Sequence, residues 1–251
     1  MLTFAGIIPA RFASTRFPGK PLAIIHGRTM IQRVYEQSSK VLDYVCVATD
    51  DLRIEEEVKR FGGRVIMTSQ NHQSGTDRCA EAIEILQKQL NKIFDVVINI
   101  QGDEPFIQPG QLEKLISCFN NPKTQIATLV KPFHKNDDIF NSNHVKVTIN
   151  KDNQALYFSR SAIPFIRNQD VTTWASKHQY YKHIGIYAYQ TGILKEITGI
   201  QPSSLELAES LEQLRWLENG YCIIVEKTDF ESISVDTPED LEKINAMAIT
   251  G

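Results

Sequence analysis

Apolar residues recur along this chain in two rhythms. Short continuous runs alternate with segments of helical spacing. Leu2 to Ile8 is the first run and predicts a buried strand. Met30, Ile31, Val34 and Tyr35 then follow a helical period, with Thr29 placed to cap the N-terminus. Tyr44 to Ala48 is a second β-rich run. Ile54, Val58 and Phe61, with charges between them, mark an amphipathic helix stopped at Gly62-Gly63. Arg64 to Met67 is a third strand. A polar loop from Ser69 to Gly75 leads into a helix from about Thr76 to Leu90. Phe94 to Ile100 is apolar throughout, as in a strand covered on both faces. A helix through Leu112, Leu115, Ile116 and Phe119 and a strand from Ile126 to Val130 complete the alternation. This β-α-β-α order predicts an α/β fold with a Rossmann-like, mostly parallel, doubly wound sheet. Ligands of such sheets bind at the carboxyl ends of the strands.

The rhythm changes after residue 131. Val145 to Ile149, Ala155 to Ser159 and Ile184 to Tyr189 read as strands without full helices between them. Asn150-Lys151-Asp152-Asn153 is a turn signal that makes the first two a hairpin. Pro164 to Lys182 is polar and irregular, a loop or mobile lid. Helices return from Leu205 to Glu218, and Cys222 to Glu226 is the last strand. Thr237-Pro238-Glu239-Asp240 opens a C-terminal helix, with a hydroxyl cap, proline at the first position and acids in the first turn. The expected division is an α/β domain of residues 1–131 with 191–251, and a smaller β-containing lobe of residues 132–190.

Composition narrows the function. The 251 residues carry a net charge of −3, so nothing global favours nucleic acid, and any anion site must be local. Cys46, Cys79, Cys118 and Cys222 have no C-x-x-C spacing, which indicates neither zinc nor a redox pair. No run has the length of a membrane span, and the N-terminal run lacks a basic leader. The expectation is a cytoplasmic protein.

The candidate chemistry sits just past the predicted strands. Arg11, Arg16 and Lys20 place three cations in the loop after the first strand, which suits a polyphosphate. Neither G-x-x-x-x-G-K-[ST] nor G-x-G-x-x-G occurs, so the loop is neither a P-loop nor a dinucleotide fingerprint. Thr49 and Asp50 follow the second strand, and Gln101 and Asp103 follow the strand near residue 100. Asp236 precedes the last helix. Two carboxylates beside a polyphosphate are the usual holders of Mg²⁺. Asp103 also suits a turn, and Asp236 a helix cap. Ser74-Gly75-Thr76-Asp77-Arg78 opens a helix whose amides can meet a base or phosphate. Arg160 and His183 are candidate anion contacts.

Those residues fall in motifs that run nearly end to end. They are Ile8-Pro9-Ala10-Arg11 with Ser14-Thr15-Arg16 and Pro18-Gly19-Lys20-Pro21, Ala48-Thr49-Asp50, His72-Gln73-Ser74-Gly75-Thr76-Asp77-Arg78, and Gln101-Gly102-Asp103-Glu104-Pro105. Tyr157-Phe158-Ser159-Arg160, His183-Ile184-Gly185-Ile186-Tyr187, Leu211-Glu212-Gln213-Leu214-Arg215 and Val235-Asp236-Thr237-Pro238-Glu239-Asp240-Leu241 follow in order. In these motifs the chain resembles the 3-deoxy-manno-octulosonate (Kdo) cytidylyltransferases, also called CMP-Kdo synthetases. The resemblance implies a Mg²⁺-dependent, homodimeric nucleotidyltransferase. It joins CTP and Kdo into CMP-Kdo and pyrophosphate for lipopolysaccharide biosynthesis, and its smaller lobe serves sugar binding and dimerisation. It places triphosphate contacts on Arg11, Arg16 and Lys20, and cytidine contacts on Ala10, Thr49, Asp50, Ser74, Gly75 and Arg78. It places the metal on Asp103 and Asp236, the sugar on Gln101, Arg160, His183, Tyr187, Glu212 and Gln213, and catalysis on Lys20, Arg16, Asp103 and Asp236. A cytidylyltransferase for a related acidic sugar, 8-amino-Kdo or a sialic acid, is the alternative.

Overall fold

The computed structural model describes residues 1–14, 16–134, 137–230 and 234–246. Thr15 of the quoted motif lies outside them. In chain order the elements are β1 (Phe4–Ala10), β2 (Ile24–Ile25), β3 (Arg28–Thr29), α1 (Met30–Ser38), β4 (Val45–Thr49), α2 (Leu52–Arg60), β5 (Val65–Met67), α3 (Gly75–Leu90), β6 (Val96–Asn99) and α4 (Pro109–Cys118). Then come β7 (Ile126–Pro132), β8 (Lys146–Ile149), β9 (Ala155–Ser159), α5 (Trp174–Lys177), β10 (Tyr181–Gln190), α6 (Thr191–Thr198), α7 (Ser204–Glu209), α8 (Gln213–Glu218), β11 (Ile223–Lys227) and α9 (Pro238–Ala246). The chain packs as two units, Met1–Glu113 with Ser232–Gly251, and Lys114–Glu231. Packing thus groups β7, α6 to α8 and β11 with the segment 132–190, because β7 pairs with both β10 and β11. None of the helices among the described residues is long and apolar enough to cross a membrane.

In the first unit β6, β1, β4 and β5 lie side by side and all parallel. The order fixes where a ligand can sit. From β1 the chain moves outward to β4 and β5, then returns to the other flank of β1 as β6. The connections therefore diverge between β1 and β6, and a crevice opens at their carboxyl ends. The apolar runs have their physical reason here. Every residue of β4 and of β6 is buried. Helix α3 starts on a reciprocal box in which Ser74 Oγ accepts from Asp77 N–H and Asp77 Oδ2 accepts from Ser74 N–H. Thr29 does stand before α1, but its hydroxyl makes no cap bond and instead donates to Glu57 Oε1 at 2.8 Å. A strong carboxylate acceptor from α2 has outcompeted the local one.

Glycine matters at two places in this unit. Gly19 closes the cation loop at φ 72°, with its N–H on the Phe12 carbonyl. Gly102 brings the chain after β6 so close to β1 that an added Cβ would stand 3.0 Å from the Pro9 carbonyl oxygen.

In the second unit β11 and β7 are parallel, β10 is antiparallel to β7, and β8 pairs with β10 and β9. The hairpin expected from the Asn150–Asn153 turn is present as β8 and β9. The run from Leu205 to Glu218 is two helices, broken where Ser210 takes a left-handed φ of 52°. The Arg215 guanidinium on Glu206 ties the two together, at 2.6 Å for each bond. Helix α6 was not foreseen, because Thr191-Gly192 opens it with two poor helix formers. The 164–182 segment has its own anchors. Trp174 and Tyr180 pack with Phe133 and Ile139, and the Tyr180 hydroxyl donates to the Pro164 carbonyl at 2.7 Å.

Gly102→Ala is expected to lower stability by about 1–3 kcal/mol, the usual cost of overpacking. The backbone carbonyl it meets cannot rotate away as a side chain would. Urea unfolding followed by circular dichroism checks this, and an unchanged midpoint would refute the close approach.

Candidate functional site

The crevice of the first unit is a cavity of about 290 Å³. Its walls come from the segments that the sequence marks. Ala10, Arg11, Arg16 and Lys20 come from the β1 end and its loop, Ser74, Gly75 and Arg78 from the start of α3, and Gln101, Asp103 and Asp236 from the other two turns. His72 and Gln73 also line it, and neither was assigned a role from sequence.

Lys20 is the centre of this arrangement. Its ammonium lies 2.7 Å from Asp103 Oδ2 and 3.2 Å from Asp236 Oδ1. Arg16 Nη2 stands 3.5 Å from the same Asp236 oxygen. The backbone enforces the meeting, because Val235 N–H donates to the Asp103 carbonyl at 3.0 Å. Val235 itself is buried with Ile25, Met30 and Ile244, which pins the segment before α9. The competing role for Asp236 is taken by others. Asp240 N–H donates to Thr237 Oγ1, and Thr237 N–H donates to Asp240 Oδ2. Capping is thereby complete without the Asp236 carboxylate, which turns to the cavity.

Among the described residues no three His, Cys, Asp or Glu side chains gather as a metal-ligand set. The carboxylate pair still fits Mg²⁺. Two carboxylates converge on one cation, and Mg²⁺ characteristically takes one or two carboxylates and fills its other positions with water and substrate phosphate.

Thr49 and Asp50 stand behind the wall rather than in it. The nearly buried Arg78 donates to Asp50 Oδ2 at 2.9 Å and to Thr68 Oγ1 at 2.6 Å. Thr68 Oγ1 in turn donates to the Thr49 carbonyl at 3.1 Å. The ends of β4, β5 and α3 are thus locked through one guanidinium. Thr68 is a residue that sequence reading missed, since nothing local marks it. His72 is held by Glu81, its Nε2 lying 2.5 Å from Oε2. Burial pulls the Glu81 carboxyl upward, but the His72 and Ser69 hydrogen bonds outweigh it and hold the carboxyl below its ordinary range.

The remaining candidates lie in the second unit. Arg160 is held by main-chain oxygens, with Nε on the Glu209 carbonyl at 2.7 Å. Tyr187 is buried in an aromatic group with Tyr189 and Trp216. Gln213 is 5% exposed, and its buried side-chain Nε2 has no hydrogen-bond partner. Glu212 precedes it as the residue before α8.

His183 departs from the expectation of an anion contact. Burial pushes its imidazole pKa down to about 3, so the ring is neutral near pH 7. Thr128 Oγ1 donates to the Ile186 carbonyl at 2.7 Å, within an irregularity of β10. The His183 Nε2 lies 3.1 Å from the same hydroxyl. A neutral ring has one donor and one acceptor nitrogen, which suits a sugar hydroxyl better than a carboxylate.

These geometries can be set beside known proteins. The cytidylyltransferase family model matches residues 5–233. The chain belongs to the cytidylyltransferase family. A relative from Parabacteroides distasonis named 3-deoxy-manno-octulosonate cytidylyltransferase is 61% identical over 247 residues, 97% of each chain. One of the same name from Bacteroides thetaiotaomicron is 61% identical over 96% of each. Within the family the chain thus belongs with the 3-deoxy-manno-octulosonate cytidylyltransferases, as the motifs implied. A solved CMP:2-keto-3-deoxy-manno-octonic acid synthetase complexed with CTP superposes at TM-score 0.88, with 42% identity and 97% of each chain covered. A 4-diphosphocytidyl-2C-methyl-D-erythritol synthase from Anaerococcus prevotii, 16% identical, shares the fold at TM-score 0.62 over 98% of this chain and 97% of its own.

The His183 value carries a pH dependence. Its folded pKa of about 3 lies below the ordinary value of 6.5. Between those values the unfolded chain holds a proton that the folded chain lacks. Stability therefore rises with pH through the window and is lost as pH falls from about 6.5 toward 3. His183→Asn is expected to flatten the acid side of a stability–pH profile measured by urea unfolding. An unchanged slope would contradict an imidazole that the fold keeps neutral.

Proposed function

We propose that this chain transfers the cytidylyl group of CTP to Kdo, giving CMP-Kdo and pyrophosphate for lipopolysaccharide biosynthesis. One observation carries the reading: Lys20, Asp103 and Asp236 converge in a cavity whose other walls are the cation loop and the start of α3. The resemblance to relatives named for this reaction supports it.

The division of labour follows from charge. Arg11, Arg16 and Lys20 face the triphosphate, and a helix N-terminus at Ser74-Gly75 adds backbone N–H groups. Ala10, Thr49, Asp50 and Arg78 form or brace the wall that takes the cytidine. The Lys20 ammonium has three protons. Two face Asp103 and Asp236, and the third is left for a phosphate oxygen. Lys20 and Arg16 then stabilise charge that develops on the leaving pyrophosphate. Asp103 and Asp236 would hold Mg²⁺, which when bound acidifies a hydroxyl and neutralises α-phosphate oxygens. The nucleophile is the anomeric hydroxyl of Kdo, in line with the leaving pyrophosphate. Arg160 holds the Kdo carboxylate, a fit for a planar guanidinium. Gln101, His183, Tyr187, Glu212 and Gln213 serve the rest of the sugar.

The active form is a cytoplasmic homodimer in this reading, paired through the lobe of residues 132–190. Phe140 and Phe165, both exposed and both against Trp174, give that lobe an apolar face.

Pyrophosphate release from CTP and Mg²⁺ tests the function, with Kdo, 8-amino-Kdo and a sialic acid compared. Release fastest with Kdo is expected, and no release with any of the three would overturn the reading. Asp103→Asn is expected to lower kcat on the order of 10²-fold or more. A near-normal kcat would remove Asp103 from the chemistry. Arg160→Ala is expected to raise KM for Kdo well beyond KM for CTP, and equal effects would refute its sugar role.

A further inference from the structure

One pair of charged side chains in the second unit has no part in the scheme above. Lys146, on β8, is fully buried. Its ammonium donates to the carbonyls of Asn141 at 2.9 Å, of His144 at 2.6 Å, and of Arg160. All three protons are thus spent on main-chain oxygens. Glu209, at the end of α7, accepts from the Ser159 hydroxyl at 2.6 Å and from the Arg160 N–H at 2.9 Å. The main chain of Arg160 is therefore gripped on both sides, its N–H by a carboxylate and its carbonyl by an ammonium.

The guanidinium follows from that grip. Nε donates to the Glu209 carbonyl at 2.7 Å, Nη1 to the Ser142 carbonyl at 3.2 Å and Nη2 to the Ser210 carbonyl at 3.4 Å. Each of its hydrogen bonds among the described residues is to a main-chain oxygen, so the group is aimed without being neutralised. Lys146 and Arg160 also share one loop. The first takes the carbonyls of Asn141 and His144, and the second takes that of Ser142 between them. A buried ion is a poor way to gain stability, since its desolvation offsets its contacts. A buried lysine that meets a functional arginine is better explained by the conformation it specifies.

We propose that Lys146 and Glu209 are positioning residues for the sugar carboxylate. Together they clamp the Arg160 main chain and so aim its guanidinium. The inference rests on the reading of Arg160 as the carboxylate contact.

Steady-state kinetics of the wild type, Lys146→Met, Arg160→Ala and the double variant test it. Lys146→Met is expected to raise KM for Kdo 10- to 10²-fold, on the order of what a misaimed contact costs, with KM for CTP unchanged. In the Arg160→Ala background it is expected to add nothing further, because the clamp acts only through that guanidinium. Glu209→Gln is expected to show the same pattern. A rise in both KM values together, or losses that multiply in the double variant, would mean a merely structural role and overturn the proposal. Arg160→Ala raising KM for Kdo while Lys146→Met and Glu209→Gln leave it alone would refute the clamp by itself. An inert Arg160→Ala would instead remove the carboxylate reading, and the clamp with it. Should Lys146→Met fail to fold, Glu209→Gln alone and with Arg160→Ala decides.

Discussion

Two carboxylates that meet in a half-buried crevice stay ionised together only where a cation offsets their repulsion; otherwise one of them takes a proton. Asp103 and Asp236, far apart in sequence, are brought together by the Val235 to Asp103 backbone bond. Lys20 makes that approach possible. The cation loop has to deliver the ammonium to one point, and its closure at Gly19 on the Phe12 carbonyl does so. The Gly102 turn has to pass close beneath Pro9 for Asp103 to reach the same point. Each of these requirements concerns the β1 and β6 ends, where the order of the parallel strands opens a crevice.

A second cation braces the opposite wall by different means. Arg78 is nearly buried, and it engages Asp50 and Thr68 with separate nitrogens. Its planar fork sends a separate nitrogen to each acceptor, a fixed geometry that a lysine ammonium does not have. The wall at the start of α3 is therefore braced from behind, while Arg11 and Arg16 at the mouth are exposed.

What was legible in the sequence was what depends on neighbours in sequence. The apolar runs of β1, β4 and β6 gave the parallel sheet because burial on both faces leaves no polar position. The Ser74 and Thr237 starts were readable because a capping box spans only four residues. Long-range partners were not readable. Thr29 looked like a cap, but Glu57 was the better acceptor for its hydroxyl. Thr68 looked like nothing, although Arg78 depends on it. The break at Ser210 was hidden by an apolar pattern that continues through it. The site lists came from the motifs, and the structure separates residues on the cavity wall, such as Arg78, from those behind it, such as Thr49.

The state of His183 sharpens the chemistry of the sugar side. A neutral ring with Nε2 on Thr128 has no charge to offer. It cannot answer a carboxylate, and Gln213 brings a neutral amide. Among the sugar-side residues of the second unit, the positive charge rests on Arg160 alone. In the proposed reading an acidic sugar is selected by one guanidinium, whose own hydrogen bonds go to main-chain oxygens. Neutral groups can grade hydroxyls by position, whereas on that reading discrimination against uncharged sugars depends on the aim of that single arginine.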